Sequence, residues 1–181
     1  MSTSESTAFE SLLYVDEKCV EHAGGVAQQQ ESSSFSHGLA FNVGSHQYMI
    51  PITDVEEVFA ISTYTSLPRT PAFMQGITNV RGNLITLLDL HEFIFASKSN
   101  ASARTKRALL VKQKASYFGL IVDSIIGMKS YHNDNGVDEV PEEFDFDYLD
   151  YISAFHMSGD AWYAMLSINN ILTDPRFSKI K

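Results

Sequence analysis

An arginine stands at the corner of "GITNVRGNLITLLDL", residues 76–90, between two apolar runs that otherwise read as core. Arg81 is permanently charged, carries five donors in a planar fork and is costly to bury unpaired. Such a group either caps carbonyls inside its own corner or clamps a carboxylate on a partner, and the sequence leaves both open. The other chemistry-bearing residues assemble into no reaction centre. The chain has no Gly-x-Ser-x-Gly elbow, no His-Glu-x-x-His pair, no Walker loop and no Gly-x-Gly-x-x-Gly turn. His22, His37, His46, His91, His132 and His156 are scattered singly, without metal-ligand spacing, and each reads as a surface or partly packed histidine. Cys19 is alone, which rules out a disulfide framework and a cysteine zinc site, and it reads as a small apolar residue. Gly136, with Asn133 and Asn135 before it and Glu142 after it, imitates a calcium loop. The first ligand would then be Tyr131, and no helices flank the segment. No catalytic, cofactor or metal site is expected.

Composition bounds the class of protein and of partner. The chain has 181 residues, 44% of them hydrophobic, which suits one domain or two subdomains. A net charge of −9 disfavours general binding to nucleic acid or anionic lipid, since both attract basic surfaces. The opening "MSTSESTAFE" lacks the charged and apolar regions of a secretory signal, and no apolar run approaches a membrane span. A cytoplasmic location is expected.

The elements that must position Arg81 are mostly strands. Residues 7–23 read as an amphipathic helix with Thr7 and Glu10 at capping-box spacing, and a polar linker follows to residue 34. From Gly38 the period becomes strand-like: "LAFNV", "QYMIPI", "EVFAI", "TSLP", "GITNV", "NLITLL", "RALLVKQ", "YFGLIV", "IIGMKSY", "YISAFHM" and "AWYAMLSI". Brief helices are expected at 72–75, 90–95 and 168–172. The domain plan is therefore 1–34, helix and linker, and 35–181, an all-β body.

A faint duplication runs through that body. "YMIPITDVEEVF" (48–59) aligns with "YFGLIVDSIIGM" (117–128), and, in the same order, "NLITLLDLHEFI" (83–94) aligns with "AWYAMLSINNIL" (161–172). Two copies of one unit fit two small barrels side by side. Charge is segregated as well. Residues 98–114 hold six bases and no acid, and residues 134–150 hold eight acids and no base. Both runs read as solvated loops, and in the second the alternation of Phe144, Phe146 and Tyr148 with acids suits an edge strand or a loop pinned by aromatics.

These ordered segments resemble the CheW family, the adaptor proteins of bacterial chemosensory arrays. The likeness rests on the Gly-Ile-Thr-Asn-Val-Arg-Gly corner followed by Asp89-Leu90, and on Val55, Glu57 and Val58 upstream. Gly119, Leu120, Val122 and Asp123 carry it downstream, as does the closing strand and helix, where Ser167 replaces a common acid or asparagine. It covers about residues 38–173. The resemblance implies an all-β fold of two small five-stranded barrel-like subdomains with short helices, and neither catalysis nor a cofactor. Its implied partners are the cytoplasmic tip of a methyl-accepting chemoreceptor and the regulatory domain of a CheA-type histidine kinase. Val55, Glu57, Val58, Gly76, Asn79, Arg81 and Gly82 are the matching partner-binding candidates. Gly76, Arg81 and Gly82 are directed by the resemblance to the receptor, and a surface around residues 108–130 to the kinase. The N-terminal extension is similar to adaptors of type IV pilus chemosensory systems, which control twitching motility. A flagellar chemotaxis adaptor is the near alternative. A small-barrel nucleic-acid-binding protein is the alternative of another class, and there the aromatic-rich loop has the wrong charge. Neither nucleic-acid binding nor membrane insertion is expected, and recruitment to membrane-associated receptor arrays is.

Overall fold

The structure is a computed structural model that describes residues 35–142, 144 and 149–178. The helix expected at 7–23 and its linker lie outside the described residues. Ten strands form the body: β1 (Phe35–Val43), β2 (His46–Pro51), β3 (Val55–Phe59), β4 (Met74–Val80), β5 (Asn83–Asp89), β6 (Arg107–Gln113), β7 (Ser116–Val122), β8 (Ser124–His132), β9 (Ile152–Ser158) and β10 (Ala161–Leu166). Among the described residues one short helix follows β5, α1 (Leu90–Phe95), and two follow β10, α2 (Ile168–Leu172) and α3 (Pro175–Ser178). Among the described residues no helix is long and apolar enough to cross a membrane.

The strands make two five-stranded sheets, ordered β8-β1-β2-β10-β9 and β3-β6-β7-β5-β4. The two orders are the same when read through the duplication, which maps β2 onto β7, β3 onto β8 and β5 onto β10. The copies do not each build one sheet, however. The chain lays β1 and β2 in the first sheet, β3 to β7 in the second, and β8 to β10 back in the first. Each copy therefore gives two strands to one sheet and three to the other. The 108–130 stretch is divided likewise, with β6 and β7 in one sheet and β8 in the other.

Strand alternation explains how two sheets share one core. Leu39, Phe41 and Val43 of β1, Tyr48 and Ile50 of β2, and Leu109, Val111, Leu120 and Val122 of β6 and β7 all enter a single cluster between the sheets. The intervening residues turn to the other face. Ala40, Met49, Tyr131, Tyr163 and Met165 fill the first sheet's own interior, and Leu87, Ala108 and Ile121 fill the second's. Central strands are thus apolar on both faces, which is why they read as near-continuous hydrophobic runs.

Two local expectations are corrected. Residues 72–75 are not a helix: the Met74 amide closes a turn on the Pro71 carbonyl at 2.9 Å, and β4 begins at once. "TSLP" is not a strand; Thr65 makes an isolated bridge with Ile77, with both bonds at 2.8 Å. The helix at Pro175–Ser178 had no periodic signal, being a single turn.

His156 is also more than a partly packed histidine. It is 5% exposed, its ring lies 4.7 Å from that of Tyr131, and a Cβ on Gly136 would fall 2.8 Å from its Cε1. Burial lowers its pKa from the usual 6.5, against an opposing backbone hydrogen bond with His132. A depressed folded-state value means that the contribution to stability is complete above pH 6.5 and is lost as pH falls through the folded-state value. Urea midpoints measured down from neutral pH should decline on this limb, and His156→Gln should flatten it.

Candidate partner-binding site

The corner is a two-residue hairpin. Val80 pairs with Asn83, leaving Arg81 and Gly82 as the loop, with φ of 52° and 89°. Positive φ at both positions is what a type I′ turn requires, and its twist matches that of the flanking strands. Asn79 fixes the turn by accepting the Gly82 amide on Oδ1 at 2.9 Å. Gly82 answers a conformational need alone, since a Cβ there would meet nothing within 4 Å. Gly76 answers a steric one: a Cβ would lie 2.2 Å from the Thr65 carbonyl oxygen. Gly76 therefore serves the bridge that closes segment 65 onto β4, and the structure places it inside the fold.

Arg81 does not cap carbonyls. Its side chain is 78% exposed, and Nη2 meets Glu57 Oε1 at 2.9 Å. Glu57 reaches that position through a bulge: the β3–β6 register slips between Val55 and Glu57, leaving Glu56 as the extra residue. Since β3 and β4 are the two edges of their sheet, the ion pair spans the open seam between them. Val55 packs against the shared core, whereas Val58 is exposed. Leu84, 72% exposed, and Tyr64, 41% exposed, line a shallow cleft of about 320 Å³ that runs along β4 to Asn79 of the corner. The hairpin thus carries a cation at its tip and exposed apolar surface along its flank. Sequence reading missed Tyr64 and Leu84. A nearly continuous apolar run over 84–88, broken only by Thr86, conceals that its first member points outward.

The duplication supplies an internal control. The position matching Arg81 is Gly159, in the β9–β10 turn, with φ of 65°. A left-handed conformation costs a side-chain-bearing residue roughly 1–2 kcal/mol, and glycine avoids that cost. The two turns differ in their second residue, since φ is positive at Gly82 but not at Asp160, and at the shared left-handed first position one has glycine and the other an exposed arginine. Retained strain at a surface position is a pointer to function.

A family profile described as the CheW-like domain matches residues 37–176. The chain belongs to the CheW-like family. This CheW-like domain is 31% identical over 135 residues to Protein PilI of Pseudomonas aeruginosa, covering 75% of each chain. It is 34% identical over 92 residues to Protein FrzA of Myxococcus xanthus, covering 50% of this chain and 56% of that one. It is 27% identical over 123 residues to Chemotaxis protein CheW of Helicobacter pylori, covering 67% and 73%. The crystal structure of the scaffolding protein TtCheW from Thermoanaerobacter tengcongensis superposes with a TM-score of 0.68 at 20% identity, over 83% of this chain and 95% of that one. At that identity the likeness is one of fold.

Proposed function

We propose that this CheW-like domain is a non-catalytic adaptor that couples chemoreceptor tips to the regulatory domain of a CheA-type histidine kinase. The pathway is the one governing type IV pilus twitching motility, and the adaptor works in the cytoplasm at receptor arrays. The observation that carries the receptor half is Arg81: exposed, held toward β3 by Glu57, and kept in a backbone conformation where the matching corner has glycine. A guanidinium at the tip of a hairpin flanked by exposed Leu84 and Tyr64 suits a partner offering a carboxylate and apolar surface. The similarity to PilI supports the pilus pathway. A flagellar role is the second reading, favoured by the similarity to Helicobacter pylori CheW. Kinase docking is assigned to the exposed apolar edges, with Met128 on β8 and Met157 on β9.

The test is capture of the full chain by the kinase regulatory domain and by a receptor tip fragment, singly and together. Arg81→Gly sharpens it. The variant should unfold no earlier than the parent, gaining up to about 1 kcal/mol from relief of the left-handed arginine, because an ion pair this exposed contributes little. Receptor affinity should fall by roughly 1.5–3 kcal/mol, the worth of a charge-assisted contact, with kinase affinity spared. Loss of stability together with both partners would make the corner a structural clamp. Unchanged receptor affinity would remove Arg81 from the interface.

A further inference from the structure

The segment between β8 and β9 is pinned at two points. Val137 and Phe155 exchange backbone hydrogen bonds at 2.9 and 2.8 Å. Seven residues on, Phe144 is buried in the shared core with its ring 5.1 Å from that of Phe155, and its amide bonds the Pro141 carbonyl at 2.9 Å. Between the pins the chain passes beside Trp162 at the start of β10, itself half-buried against the core. A cleft of about 510 Å³ opens there, with Val137, Val140, Pro141 and Trp162 as apolar walls and Glu139 and Glu142 exposed at its rim. A second cleft of about 280 Å³ lies against Trp162 as well, and Gln47 and Asp160 line it. Gln47 Oε1 is buried and has no hydrogen-bond partner among the described residues.

We infer that the clefts around Trp162 are a docking site for a basic segment of another protein, which places a lysine or arginine side chain beside the indole. Two features converge on a cation. Glu139 and Glu142 line the larger cleft and Asp160 the smaller, and among the described residues no lysine or arginine lines either. An indole face attracts a cation, arginine above all, and the attraction strengthens as water is excluded. The long-range field has the same sign, since the chain carries −9 overall and eight acids with no base over residues 134–150. The larger cleft is lined by aliphatic and carboxylate groups around the indole, which fits an extended basic side chain with an apolar neighbour, and the smaller one adds Asp160 among polar and aromatic groups. The site belongs to the β10 sheet, away from the Arg81 corner, and stands or falls separately from the receptor reading.

Trp162 is the single tryptophan of the chain, so its emission reports on the site directly. The full-length protein is titrated with a capped peptide of alternating lysine and valine, and with the matched glutamate–valine peptide. The basic peptide should give a saturable change in emission that weakens as salt is raised, and the acidic one none. Glu139→Gln with Glu142→Gln should weaken the basic peptide about tenfold or more while leaving the urea midpoint in place, since both side chains are exposed. Equal binding by parent and double variant, or no saturable change up to millimolar peptide, would overturn the proposal. So would a concentration-dependent dimer that the peptide dissolves, because the occupant would then be a second copy of this chain.

Discussion

Lys106→Met should unfold about 3–5 kcal/mol more easily than the parent, the loss expected when a buried charge cluster is left without its cation. Lys106 Nζ lies 3.1 Å from Asp89 Oδ2 and 3.9 Å from Asp123 Oδ1, and all three side chains are largely buried. Topology brings them together. β5 and β7 run parallel, with Asp89 in register with Ile121, so the two acids finish neighbouring strands at the same end. Lys106 enters β6 beside them, one residue before the Arg107–Val122 pair. Each acid also carries backbone load. Asp89 caps α1 through the Glu92 amide at 3.2 Å, and Asp123 accepts the Gly44 amide at 2.8 Å together with the Ser99 hydroxyl. Gly44 belongs to the β1–β2 turn, so the cluster ties one sheet to the other. Methionine fills the volume of lysine but leaves two carboxylates facing each other. Adding Asp123→Asn should recover a substantial part of the loss, because it removes one of the two stranded charges. A fully additive double variant, measured by urea unfolding, would show that the three groups do not act as a unit.

That cluster also marks where reading the sequence stops working. Asp89 and Asp123 stand in conspicuous segments, and Lys106 sits in a run of bases that reads as a solvated loop, because charge patterning is judged against local neighbours. The contact joins residues 17 apart, from the end of β5 to the start of β6 with β7 lying between those strands, and no local rule anticipates it. Nor does the duplication help. The positions matching Asp89 and Asp123 are Ser167 and Asp54; Ser167 still caps its helix, through the Asn170 amide at 3.3 Å, but Asp54 is exposed. The cap is shared between the copies, whereas the ion cluster joins Asp89 of the first copy to Asp123 of the second and is not repeated at the matching positions.

Local signals succeeded where local physics decides. Both helices expected at 90–95 and 168–172 have the expected bounds, since each follows a strand that ends in a capping side chain. β6 runs over 107–113 as read, between a basic loop and a two-residue turn. The repeat was legible as paired segments, but its exchange of strands between sheets was not, because pairing partners are chosen by the shared core. The corner's residue types pointed to Arg81 correctly as the group to explain. Whether its fork turned inward depended on the bulge at Glu56, which leaves no mark in an alternating pattern.

The inward-turned arginine exists, at the other end of the chain, and removing it should cost about 2–4 kcal/mol. Arg176 donates from Nε to Asp174 Oδ1 at 3.0 Å, from Nη1 to the Phe93 carbonyl at 2.9 Å and from Nη2 to Tyr151 Oη at 3.0 Å. Its guanidinium stands 3.9 Å from the Phe93 ring centroid. Phe93 lies on α1, which follows the second sheet's β5, and Tyr151 immediately precedes β9 of the first, so one side chain staples the sheets together. The side chain keeps 37% of its exposure, which holds the estimate below that of a fully buried pair. Arg176→Lys should recover only a minor part of the loss in Arg176→Ala, because an ammonium keeps the charge but not the fork or the stacking plane. The pH dependence separates this from simple loss of packing. Burial pushes the Asp174 carboxyl upward, but hydrogen bonds from Arg176 and Tyr151 outweigh it and hold the group below its usual 3.8. Its contribution is therefore present above pH 3.8 and lost as pH falls through the lower folded-state value. In Arg176→Ala the burial acts with less opposition, so the gap between parent and variant should be widest at neutral pH and narrow in acid. A gap that stays constant from neutral pH to below 3.8 would mean that Arg176 acts through packing alone.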